Sequence, residues 1–264
     1  MIYVTGDIHA DLDRFKGKEA KKLKKGDTLI VCGDFGFVWD GSKKEQQVLK
    51  WIGKRPYQVL FIEGTHDNLS LLDTYPPVDF CGGRARQISG RCYHLLRGEV
   101  YTIESDQIFT FGGGESFDAD TRIEGQTWWP GELPTQQELA HARETLERCG
   151  HVVDYIITHE ASSIVKGFLN MDSLHTNQML AFFDELSKTV RYKQWFFGGC
   201  HLDKVIPPKH RAVYQQIVTA SRQCAELRWM EIKRGTFVPL FGLHTVKSSA
   251  RAPAHGSAAC VQAA

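Results

Sequence analysis

Five short apolar runs in this chain, rich in β-branched or aromatic residues, each end in aspartate or histidine. Ile2 to Thr5 leads to Asp7-Ile8-His9, Thr28 to Cys32 to Gly33-Asp34, and Gln58 to Ile62 to Gly64-Thr65-His66-Asp67. Tyr155 to Thr158 leads to His159, and Gln194 to Phe197 to Gly198-Gly199-Cys200-His201-Leu202-Asp203. Runs punctuated in this way read as core strands. In an α/β fold the strand ends face one crevice, so residues far apart in sequence meet there, and mixed oxygen and nitrogen donors suit a transition-metal ion. A single Gly-Asp turn or Asp-x-His would be an ordinary surface loop. Their recurrence at successive strand ends is what constrains the fold.

Between these runs, Leu12 to Lys25, Lys43 to Lys54, Thr135 to Cys149 and Ser173 to Val190 carry helical spacing, and Thr135 with Glu138 forms a capping box. The stretch Ala85 to Phe111 has short strands, glycine turns and no long helix, which predicts a second sheet made largely of adjacent antiparallel pairs. The order predicts two packed sheets with flanking helices. One domain spans residues 1–243; residues 244–264 are expected to be a disordered tail, because Ser, Ala, Pro and Gly dominate from Ser248 onward. A net charge of +1 forces neither a nucleic-acid nor a membrane partner. Seven cysteines without regular spacing do not make a disulfide framework. With a strand starting at residue 2 and no long apolar run, a cytoplasmic location is expected.

In an extended segment alternate side chains share a side, so Asp7 and His9 can grasp one ion together. Asp34, after its glycine, can bridge two ions. Residues Lys16 to Lys25 hold six lysines; they attract phosphate or form a solvated helix face. Trp128-Trp129-Pro130, with Arg122 nearby, either covers the crevice or packs in the core. His66 is a chemical residue of the crevice or a turn histidine satisfied by Asp67.

In this order the clusters resemble the calcineurin-like metallophosphoesterase family, whose pattern is Asp-x-His, Gly-Asp, Gly-Asn-His-Asp/Glu, a lone His and Gly-His-x-His. The resemblance covers residues 1 to about 220, and Gly33-Asp34-Phe35-Gly36-Phe37 and Phe111-Gly112-Gly113-Gly114-Glu115-Ser116 look like a bacterial branch. It implies a four-layer α/β sandwich, two mixed sheets flanked by helices, and a phosphomonoesterase or phosphodiesterase using a metal-activated hydroxide. Asp7, His9 and His201, with Asp34 as bridge, match the first metal position. The second position maps onto Asp34, Thr65, His159 and Gly199, with threonine and glycine where the family has asparagine and histidine. A shifted alignment would instead make His201 the first histidine and Asp203 the second. His66 matches the family histidine that assists the leaving oxygen. Cys200 is a thiolate ligand or a small packed side chain.

The implied cofactor is one or two divalent ions, Mn, Fe, Zn or Ni, and the implied partner is a phosphoester substrate, with nucleic acid only in that role. The alternative is a degenerate member that binds a metal, a phosphorylated ligand or a protein without turnover.

Overall fold

The alternation of side chains along the strands sorts the apolar residues into three separate cores. The structure, a computed structural model, describes residues 1–172 and 174–221. In chain order these form β1 (Ile2–Thr5), α1 (Asp13–Lys16), β2 (Thr28–Cys32), α2 (Lys43–Ile52), β3 (Gln58–Ile62), α3 (Leu69–Asp73), β4 (Pro77–Phe80), β5 (Gly83–Ser89), β6 (Cys92–Leu95), β7 (Glu99–Ile103) and β8 (Asp106–Phe111). There follow α4 (Gln136–Arg148), β9 (Tyr155–Thr158), α5 (Ser163–Phe168), α6 (Gln178–Thr189), β10 (Gln194–Phe197), β11 (Lys204–Ile206), β12 (His210–Ala212) and β13 (Val218–Thr219).

One sheet runs β13-β1-β2-β3-β6-β5-β4 and the other β11-β12-β10-β9-β8-β7. Each has four parallel strands at its centre and antiparallel strands at its edges. Ile30, Ile62, Ile108, Ile157 and Phe196 fill the space between the sheets. Their neighbours point the other way, as a repeat of two residues requires. Leu29, Val31 and Phe61 pack with Phe15, Leu49 and Ile52 on one outer face, and Phe109, Ile156 and Phe197 with Leu146, Phe182 and Phe183 on the other. The result is the helix, sheet, sheet, helix sandwich that the sequence predicts.

All five strands expected from the motifs form over the expected residues. The helices differ more. Leu12 to Lys25 is not one helix: α1 stops at Gly17, whose backbone is extended, and a separate 3-10 turn covers Ala20–Lys22. Phe15, Ala20 and Leu23 all reach the core on either side of the break, which falls at a glycine, a residue that costs about 1 kcal/mol in a helix relative to alanine. The lysines there stay exposed, Lys16 beside Asp13 and Lys22 beside Glu19, as a solvated face. The last long helix starts at Gln178, where the Asn177 side chain accepts from the Leu180 amide. The short α5 ahead of it, capped by Ser162, has too few residues to announce a period. The Thr135–Glu138 capping box forms as expected. The Ala85 to Phe111 hairpins do not build a sheet of their own: β5 and β6 join the first sheet, β7 and β8 the second. The boundary near Leu243 and the tail at 244–264 lie outside the described residues. Among the described residues no helix is long and apolar enough to cross a membrane.

A buried ionic group fastens the first sheet to the loop that follows β8. Glu63, one residue past β3, accepts from Arg97 Nε at 2.5 Å and His94 Nε2 at 2.6 Å. Arg97 Nη2 also donates to the carbonyls of Gly131 and Glu132, at 2.9 and 3.1 Å. Burial opposes the charge on Glu63, but Arg97 and His94 outweigh it and hold the carboxyl well below its usual range. A depressed folded pKa means a contribution that is complete above the unfolded value and is lost as pH falls through the folded one. Glu63→Gln is therefore expected to cost about 3–5 kcal/mol in denaturant unfolding at pH 7. That deficit should narrow below about pH 4, where an unfolded glutamate takes up its proton. An equal deficit at pH 3 and pH 7 would show that Glu63 is not held ionised by its partners.

Candidate metal centre

The parallel registers align the strand ends that carry the motifs. Thr5 lies beside Val31 and Cys32 beside Ile62 in one sheet, and Phe197 beside Thr158 in the other. The residues just beyond these ends therefore face one another across the gap between the sheets. Local backbone shape does the rest. Asp7, His9, Asp34 and His201 all have positive φ, +38°, +48°, +46° and +48°, a region that costs roughly 1–2 kcal/mol for a residue with a side chain. Asp7 and His9 thus reach the crevice from a left-handed turn, not from the alternation of an extended strand. Of the nine non-glycine residues with positive φ among the described residues, four are candidate ligands, a clustering that functional sites often show. Gly33 is needed for the same approach: its φ is +89°, and a Cβ there would lie 2.1 Å from the His159 ring.

Two groups of donors form around Asp34. His9, Asp34 and His201 make one, and Asp7, Asp34 and His159 the other. In the first, His9 Nε2 is 3.1 Å from His201 Nε2 and 3.6 Å from Asp34 Oδ2. In the second, His159 Nε2 is 3.6 Å from Asp34 Oδ1, and its Nδ1 is 3.1 Å from the Cys32 carbonyl. Nδ1 therefore donates to Cys32 and Nε2 is directed at Asp34, the atom that would ligate an ion on giving up its proton; an outer hydrogen bond orients a ligating imidazole in this way. Asp7 lies between the groups, with Oδ1 3.5 Å from His159 Nδ1 and Oδ2 3.7 Å from His201 Nε2. The Gly199 amide also donates to Asp7, at 2.9 Å.

The electrostatics call for a cation. Asp7 and Asp34 are 1% and 2% exposed, and among the described residues their ion-pair partners are all histidines, with no lysine or arginine. Burial raises the cost of charge on Asp34, yet His159 and His66 outweigh it and keep the carboxyl well below its usual range. His159 is pushed the other way: burial disfavours its charged form, but Asp34 and Asp7 prevail and raise its pKa well above the ordinary value. Burial lowers the pKa of His9, so its neutral form faces the carboxylates. Buried carboxylates ringed by imidazole nitrogens fit a divalent metal ion, which would compensate charge that no lysine or arginine among the described residues pairs. Two nitrogens each bound about 2.0–2.1 Å from one ion lie roughly 3.0–3.4 Å apart, the spacing His9 and His201 have.

The other expected residues divide. A Cβ on Gly199 would sit 3.6 Å from His159 Nε2, so a side chain there would project toward the second donor group. Glycine supplies none. Thr65 is nearly buried, with Oγ1 3.2 Å from His66 Nδ1. Asp203 spends its carboxylate on the amides of Tyr214, Gln215 and Gln216 and belongs to neither donor group. Cys200 belongs to neither donor group and packs against the outer core, where burial pushes its thiol up to about 12.

His66 is not paired with Asp67. Its Nδ1 lies 3.0 Å from Asp34 Oδ2, and its amide donates to Asp34 Oδ1 at 2.8 Å. Arg122 Nη2 donates to His66 Nε2 at 2.9 Å. Contact with Asp34 raises the His66 pKa against burial, but a guanidinium at Nε2 requires a lone pair there. In this contact the ring therefore turns its Nδ1 proton toward Asp34. Arg122 is anchored by Asp118 at 2.9 Å and by the Thr65 carbonyl at 3.1 Å. Of the expected loop, then, Arg122 enters the crevice, while Trp129 is buried edge-on against Trp39.

Asp67 has a task the sequence did not reveal. Fully enclosed, it accepts from the amides of Phe35, Gly36 and Gly64 and so ties the turns after β2 and β3 together. Burial and the nearby charge of Asp34 push it up to about 6. Its only signal in the sequence was its place in Gly64-Thr65-His66-Asp67.

The comparisons with known proteins agree with this geometry. No curated protein matches the chain. A family model described as calcineurin-like phosphoesterase matches residues 1–198, a span that contains β1 to β10 and four of the five motifs in full. With that match over most of its length, and two mixed sheets whose ends assemble two donor groups around one aspartate, the chain belongs to the calcineurin-like phosphoesterase family.

Proposed function

We propose that this protein hydrolyses a phosphoester with the help of a divalent metal ion held chiefly at one position. The observation that carries the reading is the pair of buried carboxylates, Asp7 and Asp34, whose ion-pair partners among the described residues are all histidines, set at the ends of strands from both sheets. His9, Asp34 and His201 would hold the better-made position, with Asp7 beside it. Asp34, His159 and Asp7 would hold the second, which receives nothing from Gly199 and no amide oxygen from Thr65. When bound, such an ion supplies Lewis-acid polarisation of the phosphoryl group and lowers the pKa of water at the site.

The chain's own residues do the remaining work. Arg122, fixed by Asp118, places a permanent positive charge beside His66, where a phosphoryl oxygen would compete for the guanidinium. Its departure toward that oxygen frees His66 Nε2. Contact with Asp34 raises the pKa of this imidazole, so once Nε2 is free it can take up a proton from solvent there, forming the imidazolium, and pass it to the leaving oxygen while Nδ1 stays held by Asp34. The second ion that a complete donor set would retain is replaced in part by this guanidinium.

Thr65 and Gly199 also support a second reading, in which the protein binds a metal and a phosphorylated ligand without turnover. Activity decides between them. With manganese added, the protein is expected to hydrolyse a generic aryl phosphoester and to retain close to one ion per chain after desalting. Asp34→Asn should abolish both retention and hydrolysis; a stoichiometry near two would show that the second position is well made. Arg122→Ala is expected to lower kcat/KM by about 10²–10³-fold, as for loss of a donor to developing charge, with metal content unchanged. Thr65→Asn combined with Gly199→His should raise both metal content and hydrolysis. Histidine at a φ of +66° is expected to cost roughly 1–2 kcal/mol of stability, read as a lower midpoint in urea. Both ions bound with no gain in rate would refute the idea that the missing ligands limit turnover.

A further inference from the structure

Beside the donor groups lies a cavity of about 610 Å³ that opens onto His9 and His66. Leu12, Phe37, Trp39 and Val48 form its walls, and Lys44 lies on its lining with no ion pair among the described residues. Its size falls within the roughly 300–1,000 Å³ of small-molecule sites, and an apolar lining with a few polar groups is the usual composition of one.

The walls are held rigidly. Trp39 meets Trp129 edge-to-face, with ring centroids 5.3 Å apart at 87°, and Trp129 is 3% exposed. Phe37 is buried against Phe35 and Phe15. The 113–134 segment thus supplies Arg122 to the crevice and Trp129 to the back of this cavity.

The cavity is poorly suited to a phosphate group. The amides of Trp39, Asp40 and Gly41 could have formed an anion cradle at its edge, but all three donate to the Glu45 carboxylate, at 2.8, 2.8 and 3.1 Å. The Ser42 amide is taken by Asp40. With those donors spent, aromatic and aliphatic surface next to His66 favours a flat apolar group.

Resting on the reading that phosphoester cleavage occurs at the adjacent metal centre, we infer that this cavity receives the alcohol part of the substrate, and that this part is a planar aromatic group such as an aryl or nucleobase-bearing alcohol. The phosphoryl group then lies toward His9, His66 and Arg122, and the ring against Trp39 and Phe37.

Binding of non-hydrolysable phosphonates separates this inference from the question of turnover. In calorimetric titrations of the manganese-loaded protein, phenylphosphonate is expected to bind at least about tenfold more tightly than methylphosphonate, the scale of aromatic stacking. Trp39→Ala should remove that preference while leaving methylphosphonate affinity unchanged. Val48→Gln, a lining residue outside the Trp39–Trp129 contact, should reduce it in a protein whose loop is undisturbed. Equal affinities in the wild type, no binding of either phosphonate, or a preference that survives both substitutions would overturn the inference. A clear phenyl preference in a protein that hydrolyses no aryl phosphoester would leave the cavity's role standing and reject the hydrolase reading. Hydrolysis of aryl and alkyl phosphoesters with equal kcat/KM, alongside equal phosphonate affinities, would do the reverse.

Discussion

Asp34 is the point on which the structure turns. It stands at the end of β2, in the middle of the first sheet, in a left-handed conformation made accessible by Gly33. Its two oxygens face His9 and His66 on one side and His159 on the other, and they accept the His66 amide. Such a charge, 2% exposed, is costly unless it is compensated. Because no lysine or arginine among the described residues does so, the compensation must come from imidazoles or from a cation they hold. Both donor groups share this one residue, and for that reason the two sheets have to bring their strand ends into register at this place.

The surroundings serve that requirement. Asp67 accepts three backbone amides and braces the turns that carry Asp34 and His66. One layer further out, Glu63, His94 and Arg97 join β3 and β6 to the loop from which Arg122 reaches the crevice. The two networks differ in physical character. Glu63 is matched by a guanidinium and an imidazole, so its ionised form is favoured despite burial. Asp67 has only amide donors and a like charge nearby, so burial prevails and its pKa rises. A cation near Asp34 would relieve that repulsion, which ties the comfort of the supporting turns to the occupancy of the centre.

Much of the architecture was legible because parallel strands buried on both faces must be continuous apolar runs, and each such run here ends abruptly at glycine, aspartate or histidine. That is why β1, β2, β3, β9 and β10 could be placed to the residue, and why the candidate donors could be named as one set. Helices were harder to place. The run from Leu12 to Lys25 has helical composition, yet the chain leaves the helix at Gly17, whose backbone is extended, because glycine holds a helix weakly. The hairpins between Ala85 and Phe111 were visible as hairpins, but pairing partners are chosen by surfaces distant in sequence, so their division between two sheets was not.

The amino-acid order therefore carried the fold class, the family pattern and the set of candidate donors, because all three are written in local periodicity and in the residues that end each strand. Only the tertiary structure decided how those donors are used. It placed Asp7 between two groups, gave His66 to Asp34 and not to Asp67, turned Asp203 away, and brought Arg122 across 56 positions to His66. It also opened an aromatic-walled cavity beside them. These outcomes depend on backbone turns of positive φ and on contacts between segments far apart in the chain, and neither leaves a periodic mark in the amino-acid order.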